Sequence, residues 1–239
     1  MKSREQAYMV ITMARLLRDG EIVFHGVASP VPMLATLFAQ KAHAPKLTYL
    51  NITGSINPHP SQLPQSTVDP KLLKGTSALF TMQESFDLAA KGRLDTVFLS
   101  GVQIDRGASI NMSTIGSSDP PKVRLPGGAG SAFLAQKAHR VLMWRTKHDT
   151  QTFIEKVPFC TATPLGEVYV VTPLGLFRKN EGELMLEGLY PFTTLEEVKA
   201  HTGWKVTVSP TFQMIPEITS DDYKLLDKLD PTEALNIEF

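Results

Sequence analysis

Within a chain of 239 residues, the arrangement with the clearest chemical use is Pro126-Gly127-Gly128-Ala129-Gly130, followed by Ser131 and a segment readable as a helix. Successive glycines let backbone N–H groups converge on an anion, and a helix N-terminus adds favourable partial charge. Such a loop suits a phosphate, a carboxylate or a thioester oxyanion. Two commoner glycine motifs do not fit. A dinucleotide fingerprint wants a third glycine where Phe133 stands, and a P-loop ends in Gly-Lys-Ser/Thr, which does not occur here. The same glycines equally suit a tight strand-to-helix turn that needs only left-handed backbone. Spacing alone does not separate the two uses.

Other catalytic groupings are hard to assemble. The six histidines form no HxxxH or HxH pair and the single cysteine, Cys160, has no neighbour in sequence, so no metal site is expected. No G-x-S-x-G elbow is present. Asp105-Arg106, after Val102-Gln103-Ile104, reads as a turn pair as readily as a site. The most informative feature is an absence: residues 22–68 contain no Asp and no Glu. The loops in that stretch offer no carboxylate for nucleophilic or acid–base work, and Asn51, Thr53, Ser55 and Asn57 can only exchange hydrogen bonds.

These loops need elements to hold them. Ser3 and Gln6 have capping-box spacing, Ala7, Val10, Ile11, Ala14 and Leu17 follow at helical intervals, and Gly20 supplies a stop. Strands are expected at 21–25, 46–52 and 95–101, with a turn over 26–32, helices at 33–41 and 83–91, and a polar, Pro-rich stretch at 53–70. Alternating strands and helices imply an open α/β sheet, whose ligands bind where strands run into loops, here 26–32, 53–57 and 101–107. After a short strand and the glycine loop, for which Ser131 is the expected helix cap, the character changes. Strands at 139–146, 152–157, 167–172, 176–179 and 183–188 imply added antiparallel or mixed sheet. A helix over 193–204, with a Thr194–Glu197 box and Gly203 as terminator, precedes a strand KVTVS, and 215–239 reads as a polar tail beyond a single domain of 1–214.

Composition excludes several classes. Lys+Arg and Asp+Glu both number 24, so the clustered positive charge of a nucleic-acid binder is missing. One cysteine rules out an internal disulfide framework. The first 21 residues, interrupted by Arg15 and Arg18, read as neither secretory signal nor membrane span, so a cytoplasmic protein is expected.

The order DTVFLSGVQIDRGASINMSTIG (95–116), then PKVRLPGGAG with its helix, then TLEEVKAHTGW (194–204) resembles the β subunits of family I coenzyme A transferases. The likeness, to the glutaconate, 3-oxoacid and 3-oxoadipate enzymes, spans about residues 5–210. It implies an α/β CoA-transferase fold, an obligate α-type partner in an αβ or α2β2 assembly, an active site shared with that partner, and coenzyme A as part of the substrate rather than a tightly bound cofactor. In the glutaconate-type transferases a β-subunit glutamate after the second strand, two residues before a glycine, attacks the acyl-CoA. Setting that glycine on Gly54 puts Ile52 where the glutamate belongs, so no catalytic residue is expected in this chain. The lack of a nucleophile resembles the steroid ring-opening CoA hydrolases, whose catalytic glutamate lies on the α-type partner, although that branch tends to have an acidic residue beside this glycine. The resemblance implies that Asn51, Thr53, Gly54, Ser55, Gln103 and Asp105 shape the acyl pocket. It brings Gly127, Gly128, Ala129 and Gly130 to the thioester carbonyl through their amides. Three readings follow: a heteromeric acyl-CoA enzyme, hydrolytic, ring-cleaving or transferring; a non-catalytic subunit completing a partner's site; or a small-molecule domain of the broader isomerase/deaminase-like superfamily, for which the acid-free stretch is unsuited.

Overall fold

The computed structural model describes residues 2–27, 29–116 and 120–239. The chain divides into two compact units, one built from residues 1–98 and 217–239 and the other from 99–216.

The first unit opens with helix α1 (Arg4–Arg15), started by the expected capping box: Ser3 Oγ accepts from the Gln6 amide and Gln6 Oε1 from the Ser3 amide. Ala7, Met9, Val10, Met13 and Ala14 on this helix are completely buried. The helix ends before Gly20, which instead provides the left-handed turn (φ 82°) leading to strand β1 (Ile22–His25). Helix α2 (Pro30–Ala42) starts three residues earlier than the pattern implied, because Pro30 and Pro32 fall in its first turn, where a missing N–H leaves nothing unpaired. Ala28, within the expected 26–32 turn, lies outside the described residues.

Strand β2 (Thr48–Asn51) runs parallel to β1, with His25 in register with Asn51. The polar stretch after it carries strand β3 (Ser55–Ile56), which turns back antiparallel and pairs with β4 (Ala78–Leu79). Helix α3 (Met82–Ala90), capped by a Thr81–Glu84 box, leads into β5 (Thr96–Leu99), which lies parallel to β1. The order in this unit is therefore β5-β1-β2-β3-β4.

In the second unit, β6 (Gln103–Asp105) and β7 (Ile110–Asn111) form a tight hairpin, and β8 (Thr114–Ile115) pairs with β9 (Val123–Arg124) just before the glycine loop. Helix α4 (Ser131–Lys137) follows; its N-cap is Gly130, and Ser131 is its first residue rather than its cap. Strand β10 (Arg140–Trp144) is wholly buried. Strand β11 (Phe153–Ile154) joins β6, while β12 (Glu167–Thr172), β13 (Gly175–Asn180) and β14 (Glu183–Leu189) make a meander beside β10. Glu181 and Gly182, both at positive φ, close the β13–β14 hairpin with the twist a two-residue loop requires.

Helix α5 (Leu195–His201) is capped by Thr194, which accepts from the Glu197 amide. Gly203 does not end it through a left-handed residue. The position requires glycine because a Cβ there would sit 2.4 Å from the Phe153 carbonyl oxygen. Strand β15 (Val208–Met214) starts later than KVTVS suggested and pairs parallel with β14, so this sheet is mixed.

Residues 217–239 return to the first unit. The segment expected as a tail forms helix α6 (Ser220–Leu229), boxed by Thr219 and Asp222, and a 3-10 turn over Ala234–Glu238. Leu226 and Leu235 are fully buried, and a buried Lys2–Asp230 pair at 2.8 Å ties the two ends of the chain together. Among the described residues no helix is long and apolar enough to cross a membrane, and no group of His, Cys, Asp and Glu is placed to hold a metal ion.

Candidate functional site

In the first unit, polar residues collect at the carboxyl ends of β1 and β2. Parallel pairing puts His25 opposite Asn51, and the two-residue period of a strand puts Tyr49 on the same face as Asn51. His25, Tyr49 and Asn51 are completely buried, and a buried polar group must find a partner. Asn51 Nδ2 donates to the Tyr49 hydroxyl at 2.8 Å. The phenol gives its own proton to His25 Nε2, with which it makes a very short contact, because the other ring nitrogen faces the Gly26 carbonyl, which can only accept. Burial lowers the His25 pKa to about 4, against a smaller opposing contribution from the Gly26 carbonyl, so the ring is neutral at pH 7. With Nε2 accepting, Nδ1 carries the hydrogen and faces Ser29 Oγ at 2.9 Å and Gly26 O at 3.0 Å. Burial likewise pushes the Tyr49 phenol upward and keeps it protonated.

On the other side, Asn51 Oδ1 accepts from the Thr53 amide at 3.0 Å and the Thr53 hydroxyl at 2.7 Å, an Asx turn. Since Thr53 Oγ1 spends its proton on Asn51, Ser55 Oγ donates to it across 3.0 Å. Every hydrogen bond thus runs in one direction, from Ser55 through Thr53, Asn51, Tyr49 and His25 towards Gly26. The backbone turn is closed by the Gly54 amide on Asn51 O. Gly54 has φ 90°, and a Cβ there would meet the Phe80 carbonyl oxygen at 2.6 Å, so both conformation and space demand glycine. Ile52, Thr53 and Gly54 form the half-exposed tip of the turn. The result is a turn held by a buried network of neutral polar groups, with no carboxylate among them. Asn57, in the left-handed region, serves the scaffold: its Oδ1 accepts from the Tyr49 amide and from Gln40 Nε2.

In the second unit, the glycine loop is held from below. The amides of Leu125 and Gly127 donate to Ser113 O and Met112 O at 2.9 and 2.7 Å. Gly127 (φ 87°) therefore shapes the loop but has no amide to offer, which narrows the expected set. Among the described residues, the amides of Gly128, Ala129 and Gly130 have no protein acceptor. Ala129 holds φ 44°, a conformation costing a non-glycine residue roughly 1–3 kcal/mol. Successive unpaired amides with alternating backbone hand make an anion-binding concavity. Gly128 is boxed in, since a Cβ would lie 2.5 Å from Thr161 Cγ2 and 2.8 Å from Ser131 Oγ. Helix α4 has only 7 residues, so any anion affinity rests on the loop amides rather than on a long helix dipole.

Gln103 and Asp105 turn out to hold loops. Asp105 is buried; its Oδ1 accepts from the amides of Gly107 (3.0 Å) and Ser109 (2.8 Å), and its Oδ2 from that of Val157 (3.1 Å). Gln103 Oε1 accepts from Asn111 Nδ2 at 2.9 Å, and its Nε2 reaches Gln151 O at 3.3 Å. Arg106 pairs outward with Glu183 and Glu155. His148, between Thr172 and Thr202 and stacked on Phe153, is a satisfied core histidine, its pKa lowered to about 3 chiefly by burial and further by His201, with Asp149 opposing.

The structure thus gathers Asn51, Thr53, Gly54 and Ser55 in the first unit and Gly128, Ala129 and Gly130 in the second. Sequence reasoning missed His25, Tyr49 and Ser29. The signal was there in outline, since His25 and Asn51 are the polar residues that end two apolar strands.

Comparison with known proteins agrees with this architecture. The coenzyme A transferase family model matches residues 7–201. The chain is 31% identical over 216 residues to the β subunit of 3-oxoadipate CoA-transferase from Pseudomonas knackmussii, covering 83% of this chain and 82% of that protein. A crystal structure of the decarboxylase AibA/AibB superposes with a TM-score of 0.93 at 29% identity, covering 99% of both chains. Rhodococcus jostii IpdAB gives 0.84 at 20% identity over 100% of this chain and 99% of the other, a likeness of fold alone. The chain belongs to the coenzyme A transferase family, as a chain of the β-subunit type.

Proposed function

We propose that this chain works with an α-type partner as half of an acyl-CoA enzyme that cleaves a carbon–carbon or thioester bond without forming a covalent intermediate on the chain itself. The observation that carries this reading is the turn after β2. Where the resemblance calls for a nucleophilic glutamate stands Ile52, inside a run from 22 to 68 that holds no carboxylate, beside side chains that are all neutral at pH 7. Transfer through an acyl-enzyme needs a nucleophile to hold the acyl group and then CoA while acids exchange. Hydrolysis or C–C cleavage needs only a base, a water or an electron sink, which the partner's carboxylate and the thioester carbonyl supply. A decarboxylase of the same fold at 29% identity is a precedent for bond cleavage on this scaffold.

Within that reading the residues divide the work. Thr53, held by Asn51 and Ser55 at the half-exposed tip of the turn, orients the acyl group. Taken by themselves, the amides of Gly128, Ala129 and Gly130 suit developing negative charge such as that of an oxyanion, a type of contact worth about 10²–10³ in kcat for each donor. Coenzyme A enters as part of the substrate. A second reading, true transfer with the carboxylate on the partner, draws on the name of the 31% identical relative.

The test is co-purification of the chain with its partner, followed by a screen of acyl-CoA thioesters for release of free CoA or of a cleaved acyl product with no acid acceptor present. Turnover without acceptor supports cleavage. Turnover that strictly requires an acid acceptor supports transfer, and a chain that recruits no α-type partner contradicts both.

A further inference from the structure

The first turn of α2 is capped in an unusual way. Pro30 and Pro32 have no N–H, and the Met33 amide reaches Ser29 O, so Val31 presents the amide that needs a cap. A serine at the N-cap position would ordinarily accept from that amide. Ser29 does not; its hydroxyl donates to Gly26 O at 2.7 Å and faces His25 Nδ1 at 2.9 Å. The Val31 amide donates instead to Glu238 Oε1 at 2.7 Å, from a residue 207 positions away. Glu238 is held in place by the closing segment of the chain. The Asp230 carboxylate meets Lys2 and accepts from the amides of Ala234 and Leu235, and Gln6 Nε2 donates to Asn236 at 2.8 Å.

We propose that Glu238 is a positioning residue for the substrate-facing turn at 51–54. By capping α2 it releases Ser29 to hold His25 in one tautomer, and His25 passes that order through Tyr49 and Asn51 to Thr53. The proposal rests on the reading of this turn as part of the substrate site. Without Glu238, the Ser29 hydroxyl, at the N-cap position, takes up the ordinary role of acceptor for the Val31 amide, and His25 loses its fixed partner.

The experiment uses the complex of the full chain with its partner, labelled with 15N-histidine, and compares Glu238→Ala with Glu238→Gln, which keeps the accepting oxygen. In Glu238→Ala, the His25 ring nitrogens should shift, and amide exchange across 49–57 should rise about tenfold, the factor given by loss of a helix cap of ordinary strength. Exchange across 140–144 should stay unchanged, which separates a local effect from general loosening. For the thioester found by the screen, kcat should fall with KM unaltered, and Glu238→Gln should restore all three readouts. Unchanged ring signals and exchange in Glu238→Ala overturn the proposal itself. Altered signals with unaltered turnover overturn it through the reading of the turn as a substrate site.

Discussion

Adding a single methyl group at Gly128 tests the glycine loop. The Cβ of Gly128→Ala would lie 2.5 Å from Thr161 Cγ2. Carbon atoms settle at about 3.5–4.0 Å, so something must yield by about 1 Å. Thr161 is poorly placed to do so: its amide donates to Ile110 O at 2.8 Å, and its hydroxyl meets the Met112 amide and Ser113 Oγ, each at 2.8 Å. Ser131 Oγ, the other close atom, can rotate away by giving up its bond to Gly128 O. The loop must therefore move, at a cost of about 1–3 kcal/mol for overpacking, or a fall in Tm of roughly 2–4 °C per kcal/mol for a chain of this size. Displacing one oxyanion donor should lower kcat about 10²–10³-fold, far more than the loss of stability explains. Thr161→Ser removes the offending Cγ2 and keeps the hydroxyl, so adding it to Gly128→Ala should recover most of both losses. The assay is steady-state CoA release by the complex, alongside thermal melts. Wild-type kcat in Gly128→Ala would refute the loop's role in turnover and leave it a tight turn.

Other consequences follow from groups already described. His25 and His148 are held neutral with pKa values of about 4 and about 3, below the unfolded value of 6.5. The unfolded chain therefore binds more protons, and stability present above pH 6.5 is lost as pH falls towards the folded values; melts between pH 7 and 4 should show a drop on the order of 3 kcal/mol per histidine. Asp105→Asn leaves one acceptor oxygen for three amides and should cost about 2–3 kcal/mol, read as a lower Tm. Ile52 is half-exposed at the tip of a turn, so Ile52→Glu should fold, with Tm within a few degrees of wild type and an unchanged circular dichroism spectrum. A chain that fails to fold would show that Ile52 is effectively a core residue.

How much of this was legible in the sequence depended on how local the cause was. Ser3 with Gln6 is set by neighbours within a few positions, and the residue types of the Gly54 turn and the Gly127–Gly130 loop announce them, although Phe80, Met112 and Thr161, which hold them, are remote in sequence. The His25–Tyr49–Asn51 chain depends on the parallel register of β1 with β2, which pairs residues some two dozen positions apart. Nothing near His25 in sequence states its partner. Asp105 looked equally like a site and a turn because its third donor, Val157, arrives 52 residues later. The closing segment read as a tail because charged residues are dense in it, yet Leu226 and Leu235 are fully buried and Lys2 with Asp230 fixes it to the start of the chain. Pro30 and Pro32 looked like a turn although both suit the first turn of a helix.

The proposal that this chain of the coenzyme A transferase family carries no covalent intermediate of its own is open to a direct check. The measurement is the intact mass of this chain after the working complex has been incubated with its acyl-CoA substrate and quenched in acid during turnover, which leaves an acyl or CoA adduct in place. The expected result is an unmodified mass while product accumulates. An acyl or CoA adduct on this chain, mapped to any of its side chains, would contradict that expectation and restore a transferase-type mechanism.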